Sequence, residues 1–140
     1  MRFGTTTWQS LCLVVILACV PDSSWAAERL TIGQLQKFHK SYHMHSVTIV
    51  GKVEELQVFP PMRVITKSCY TLYGRGKFIL VDDSGSLQVE SLGGCSPTVA
   101  QILPQAGDQI KLTAQIQVYA PEGQTTEVIK AITQEIVVLK

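Results

Sequence analysis

The spacing of apolar residues changes along this chain of 140 residues, and each change marks an element. From Leu30 the spacing is helical, with Leu35, Phe38 and Tyr42 on one face and Gln36, Lys37 and Lys40 off it. Thr31 with Gln34 three residues on forms a capping box, and Leu30 is placed to pack on Leu35. A helix of about three turns is predicted to follow. At Ser46 the period becomes two. Val47, Ile49 and Val53 share a face with Gly51 between them, and beyond Glu54-Glu55 the apolar parity moves to Leu56 and Val58. Side chains alternate strictly along a strand, so a parity change requires a bulge or a sharp bend. A long first strand that bends midway can curl around the core of a small barrel.

Pro60-Pro61 ends that strand, and Met62 to Gly76 follows no clean period, which predicts a loop and a short or irregular strand. Order returns at Lys77 to Glu90. The apolar run Phe78 to Val81 stops at Asp82-Asp83-Ser84-Gly85, and Leu87-Gln88-Val89-Glu90 alternates after it. This is a β-hairpin, with Gly85 free to take a positive φ and Asp82, Asp83 and Ser84 able to bond to nearby backbone. Gly93-Gly94 breaks the second strand. Ser96 as N-cap and Pro97 at the first position open a short helix with Val99, Ile102 and Leu103 on its apolar face, closed by Pro104. After the Gly107-Asp108 turn, Ile110, Leu112, Ala114, Ile116 and Val118 alternate with Lys111, Thr113, Gln115 and Gln117. Pro121-Glu122-Gly123 turns the chain into a last strand within Thr125 to Leu139, carried by Ile129, Ala131, Ile132, Ile136 and Val138.

Five strands with a helix between the third and fourth is the order of the oligonucleotide/oligosaccharide-binding (OB) barrel. The run Val47-Thr48-Ile49-Val50-Gly51-Lys52-Val53, the strand from Phe78 ending in Asp-Asp-Ser-Gly, the Ala106-Gly107-Asp108 turn and the alternating strand after it resemble OB domains of the tRNA-anticodon-binding type. Small exported OB-fold proteins of bacteria are similar in the same way. The resemblance covers residues 46–139. It implies an all-β, five-stranded Greek-key barrel with a short helix between strands three and four and an added N-terminal helix. The matching residues are scaffold residues, so they specify a barrel and not its ligand.

A formal charge of +1 provides no global field for a polyanion, so any attraction must be local. Arg2, the apolar stretch Leu11 to Val20, Pro21 and the small residues around Ser24-Trp25-Ala26 form a secretory leader cleaved after Ala26. The expected division is a signal peptide over 1–26, an N-terminal helix over 27–45 and the OB domain over 46–140, in a protein exported to a bacterial periplasm. The apolar stretch falls short of the about 20 residues a bilayer requires, so no transmembrane helix is expected in the mature chain. The alternative is a lipoprotein, since Ile16-Leu17-Ala18-Cys19 resembles a lipidation box that would tether the chain to a membrane surface through Cys19. Cys12 and Cys19 fall in the leader, which leaves Cys69 and Cys95. Two cysteines in a small exported domain are expected to pair, and a hairpin centred near residue 84 returns residue 95 to the low seventies. Two buried free thiols are the competing reading.

Arg63, Lys67, Arg75 and Lys77 lie in a stretch without an acidic residue, interleaved with Tyr70 and Tyr73. In an OB barrel the face of strands two and three, with the neighbouring loops, forms the usual groove. Single-stranded nucleic acid needs cations for its phosphates and flat apolar faces for its unstacked bases, so these six residues are the ligand-binding candidates. Another oligomeric polyanion or an oligosaccharide fits the same surface, and the bland alternative is a solvated loop with tyrosines packed on the barrel. A module that docks a protein partner of the cell envelope is the second functional reading. His39, His43 and His45 with Met44 make a metal or haem carrier a weaker third, because no cysteine or carboxylate stands beside them in sequence. No metal site and no cofactor is assigned. Glu54-Glu55 and Asp82-Asp83 are adjacent pairs whose side chains diverge on a strand, and no nucleophile triad or phosphate loop is present, so a non-enzymatic binding module is expected.

Overall fold

A computed structural model describes residues 29–140; the signal-peptide reading over 1–26 and the lipidation reading at Cys19 lie outside the described residues. In chain order the elements are α1 (Ile32–Lys37), α2 (His39–Tyr42), β1 (Ser46–Val58), β2 (Met62–Arg63), β3 (Thr71–Asp82), β4 (Gly85–Gly94), a 3-10 helix (Pro97–Ile102), β5 (Gln109–Tyr119) and β6 (Val128–Val138). β1 pairs antiparallel with β5 from Ser46 to Lys52 and with β3 from Lys52 to Val58. Its bend lies between Glu54 and Gln57, where the register shifts and Glu55 takes a φ of 51°. The bend expected at Glu54-Glu55 is therefore real, and it lets one strand serve two neighbours. β5 pairs with β6 and β3 with β4, both antiparallel, and a short parallel contact from Gln88↔Lys130 to Glu90↔Ile132 joins β4 to β6. The ring β1-β5-β6-β4-β3 closes on itself, and β2 adds to the edge of β3. This is the five-stranded barrel of the OB-fold.

Inward-facing residues fill it. Ile49, Val53, Phe78, Leu80, Leu87, Val89, Ile110, Leu112, Ala114, Ile116 and Ala131 form one cluster with Ile32 and Leu35 of α1. The N-terminal helix therefore belongs to the core: its two buried residues stop one end of the barrel. Removing such side chains from water contributes roughly 1.5 to 3 kcal/mol each.

The helix is shorter than its periodicity predicts. It breaks at Phe38, whose φ of -114° and ψ of 28° leave the helical region and whose ring is 52% exposed. The carbonyl of Gln36 would serve residue 40 in a continuous helix, but it accepts the His39 ring Nδ1 at 2.9 Å, and His39 Nε2 reaches Glu127 at 2.7 Å. A side chain anchored to a distant loop has displaced one rung of the ladder. At the other end the capping box forms as expected, with Thr31 and Gln34 bonding reciprocally.

The 82–85 hairpin turn is what seats this helix. Asp82 Oδ1 accepts the Ser84 N–H at 2.7 Å and the Gly85 N–H at 3.0 Å, which shapes the turn, while its Oδ2 accepts the Ile32 N–H at 2.8 Å. Ser84 Oγ accepts the Gly33 N–H at 2.7 Å, and Thr31 Oγ1 accepts that of Gln34 at 3.2 Å. The first three helical N–H groups, which have no partner within the helix, are all satisfied. Gly85 does not use a positive φ. It is required because a Cβ there would stand 2.9 Å from Gln36 Oε1 and 3.5 Å from Ile32 Cγ2.

The helix between β4 and β5 is a 3-10 turn, and Ser96 does not cap it; its hydroxyl pairs with Thr98 Oγ1 at 2.9 Å. Ile102 is 55% exposed, not packed on an apolar face as its spacing suggests.

Candidate binding surface

β3 presents the predicted residues in a row. Gly74, Gly76, Phe78 and Leu80 are buried, and the alternate positions Tyr73, Arg75 and Lys77 face outward. The two inward glycines are demanded by close approach: a Cβ at Gly74 would meet Val99 O at 2.8 Å, and one at Gly76 would meet Gln57 O at 2.8 Å.

Arg75 is held in place. Its Nη1 lies 3.4 Å from Met62 Sδ, and its guanidinium sits 5.7 Å from the centre of the Phe59 ring. Phe59 N–H donates to the Arg75 carbonyl at 2.9 Å, which fixes the ring beside the strand. Behind it, Gly93 takes a φ of 79°, and a Cβ there would fall 2.9 Å from Arg75 Cγ. Lys77 is exposed and pairs in register with Glu90, whose carboxylate is engaged by Lys130 Nζ at 3.0 Å.

Arg63 lies on β2 opposite Thr71 and is exposed, while Lys67 and Tyr70 are exposed on the loop that follows. That loop is closed by the Val64 N–H donating to Tyr70 O at 3.0 Å, and its tip is shaped by Thr66 Oγ1, which accepts the Cys69 N–H at 3.0 Å. Cys69 and Cys95 are disulfide-bonded with Cα atoms 5.5 Å apart, tying the loop to the chain just before the 3-10 helix. Tyr73, Arg75 and Lys77 thus share one strand face, and Arg63, Lys67 and Tyr70 occupy the adjoining strand and loop.

Three neighbours escape sequence reasoning. Phe59 and Met62 stand at Arg75, and Lys130 lies 5.4 Å from the centre of the Tyr119 ring beside β4. The aromatic at Phe59 before Pro60-Pro61 was a visible signal; the approach of Lys130 depends on the parallel β4–β6 contact, which no local pattern encodes.

The histidines hold the helix. His39 touches two acceptors, the Glu127 carboxylate and the Gln36 carbonyl, and those bonds raise its pKa above 6.5 despite some desolvation and the nearby Lys40. Glu127 is correspondingly lowered, first by the bond from His39. His43 Nδ1 accepts the Val118 N–H at 3.0 Å. Among the described residues no group of three His, Cys, Asp or Glu side chains converges as a metal site, and no helix is long and apolar enough to cross a membrane.

No protein-family model and no curated protein sequence matches the chain. Solved structures do. A protein assigned as an aspartyl-tRNA synthetase from Leishmania major Friedlin superposes with a TM-score of 0.57 at 12% identity, over 85% of this chain and 22% of that one. The second OB-fold domain of replication protein A from Methanococcus maripaludis gives a TM-score of 0.52 at 15% identity, over 79% of this chain and 96% of that domain. An aspartyl tRNA synthetase from Entamoeba histolytica gives 0.49 at 14% identity over 70% of this chain, and the chain spans 19% of its length. The match to an isolated OB-fold domain over nearly its full length agrees with the barrel topology: the fold is an OB-fold.

Proposed function

We propose that the protein is a binding module for single-stranded nucleic acid, with the ligand lying across the outer face of β3 and the 59–70 loop. The observation that carries this reading is the outward row Tyr73, Arg75 and Lys77, continued by Arg63, Lys67 and Tyr70 in a segment without an acidic side chain. Arg75, Lys77, Arg63 and Lys67 contact phosphates, while Tyr70, 78% exposed, and Tyr73 stack bases. OB barrels hold oligonucleotides on this face.

The reading is of binding and not of catalysis. Asp82 and His39, two groups whose acidity is shifted, are both occupied in fastening α1 and α2 to the barrel. We also propose that the protein acts outside the cytoplasm, which the Cys69–Cys95 bridge supports because such bonds persist in oxidising compartments.

Fluorescence anisotropy with a labelled single-stranded oligonucleotide tests the proposal across a salt series. The native chain should bind with an affinity that falls with salt. Arg75→Glu combined with Lys77→Glu should weaken binding and flatten the slope by about 0.7 for each phosphate that is no longer neutralised. Salt-independent binding, or a double variant indistinguishable from the native chain, contradicts the reading.

A further inference from the structure

The 59–70 loop has a feature that nucleic acid does not use. Val58, Met62 and Ile65 expose aliphatic side chains around it, and Ile65 stands wholly in water. An apolar crest without aromatic rings offers a base no flat face and a phosphate no donor. Arg63 and Lys67 flank Ile65, and no acidic residue occurs between Glu55 and Asp82.

The crest is also held in position. β2 pairs with β3 at its foot, the Val64 N–H bonds to Tyr70 O, Thr66 closes the turn onto Cys69, and the Cys69–Cys95 bridge anchors its base. A loop fixed in this way can keep its apolar residues presented to a surface without first being ordered by it.

We propose that this crest inserts into the surface of an anionic lipid bilayer. Ile65 and Met62 enter the boundary of the acyl chains, Tyr70 lies at headgroup level, and Arg63 and Lys67 meet the lipid phosphates. Charge complementarity selects this occupant: cations without an opposing carboxylate match a leaflet of negative headgroups, and the aliphatic crest between them matches the layer beneath. Arg63, Lys67 and Tyr70 are shared with the nucleic-acid surface proposed above, so a bilayer and an oligonucleotide compete for the loop, while Arg75 and Lys77 on β3 remain for the oligonucleotide alone and Ile65 for the bilayer alone. Membrane docking would place the barrel at a membrane surface with no spanning element required.

Cosedimentation of the mature chain, cleaved after Ala26 and so without the apolar stretch Leu11 to Val20, tests this with vesicles, comparing phosphatidylcholine containing phosphatidylglycerol with phosphatidylcholine alone. The native chain should favour the anionic vesicles. Ile65→Ser, at a fully exposed position and therefore harmless to folding, should lower that partitioning about tenfold, and Lys67→Glu about fivefold or more. Oligonucleotide binding by Ile65→Ser should match the native chain. A second variant reads insertion directly: cleavage after Ala26 removes both Trp8 and Trp25, so in the mature chain the fluorescence of Ile65→Trp is its own, and it should shift to the blue on anionic vesicles and be quenched by brominated lipid. Equal binding to both vesicle types, native partitioning by Ile65→Ser, or no quenching in Ile65→Trp overturns the proposal. If Ile65→Ser loses oligonucleotide affinity while keeping vesicle affinity, Ile65 itself belongs to the nucleic-acid surface and the membrane reading fails.

Discussion

At the end of the barrel stopped by α1, Ile32 and Leu35 are wholly buried, and the first three helical N–H groups each have an acceptor. At the end formed by the 59–70 loop and the 3-10 helix, Val58, Met62, Ile65, Tyr70 and Ile102 are exposed, and the chain is held by a covalent bridge. An OB barrel commonly carries its helix between the third and fourth strands; here that segment is a short 3-10 turn, and the N-terminal helix supplies two of the core residues instead. One end thus stabilises the fold by packing and capping. The other keeps apolar and cationic groups in water, which costs stability, and a surface of that kind points to a partner.

The contrast can be broken at several points. Leu35→Ala at the stopped end should lower unfolding free energy by on the order of 4 kcal/mol, since a buried leucine leaves a cavity, whereas Ile65→Ala should stay within about 0.5 kcal/mol. Urea unfolding of the two variants measures the difference, and equal losses would contradict the division of labour. Replacing both Cys69 and Cys95 by Ser should cost about 3 kcal/mol by the entropy of the loop they close. The loss should appear in the same urea series, and hydrogen exchange should quicken in the 64–70 loop but not in α1.

Asp82→Asn should cost about 1 to 2 kcal/mol through weakened capping of Ile32 and a weaker turn. Partial burial pushes the Asp82 pKa up, but the bonds from Ile32, Ser84 and Gly85 prevail and hold it below 3.8. Its contribution is therefore full above that value and fades as pH falls through the lowered one. Stability measured from pH 5 down to pH 2 should fall less steeply in Asp82→Asn than in the native chain; parallel curves would remove Asp82 from the latch.

The smallest effect belongs to His39, which is exposed. Its raised pKa means that the ionic pairing with Glu127 contributes fully below 6.5 and fades as pH rises through the raised value. An NMR titration of the His39 ring should give a pKa above 6.5 that falls in Glu127→Gln, where only the bond to the Gln36 carbonyl still raises it; an unchanged value would remove Glu127 from the pairing.

The stopped end was partly legible in the sequence. Thr31 and Gln34 announced the cap, and the alternation from Ile110 to Val118 announced β5. The joining of cap to hairpin was not legible, because Asp82 explains its own turn before its second oxygen is needed by Ile32. The periodicity of Leu35, Phe38 and Tyr42 misled, since a tertiary contact at His39 overrides it. At the open end charge and aromaticity, not periodicity, mark the six candidates in the sequence; Tyr73, Arg75 and Lys77 lie on the outward face of β3, and Arg63, Lys67 and Tyr70 on the adjoining strand and loop. The strand that carries three of them was hidden from Thr71 to Lys77: its inward positions at Gly74 and Gly76 have no side chain, so the alternation lacks half its pattern. The parallel contact of β4 with β6 has no local sign at all.

Hydrogen exchange of the native chain with and without a single-stranded oligonucleotide tests the division of the barrel most directly. Added protection should fall within residues 59–77, on the loop and the outward row of β3, and leave residues 31–43 and the 82–85 turn unchanged. Protection centred on α1, α2 and the 120–127 loop, or none anywhere under conditions where binding is saturated, would contradict it.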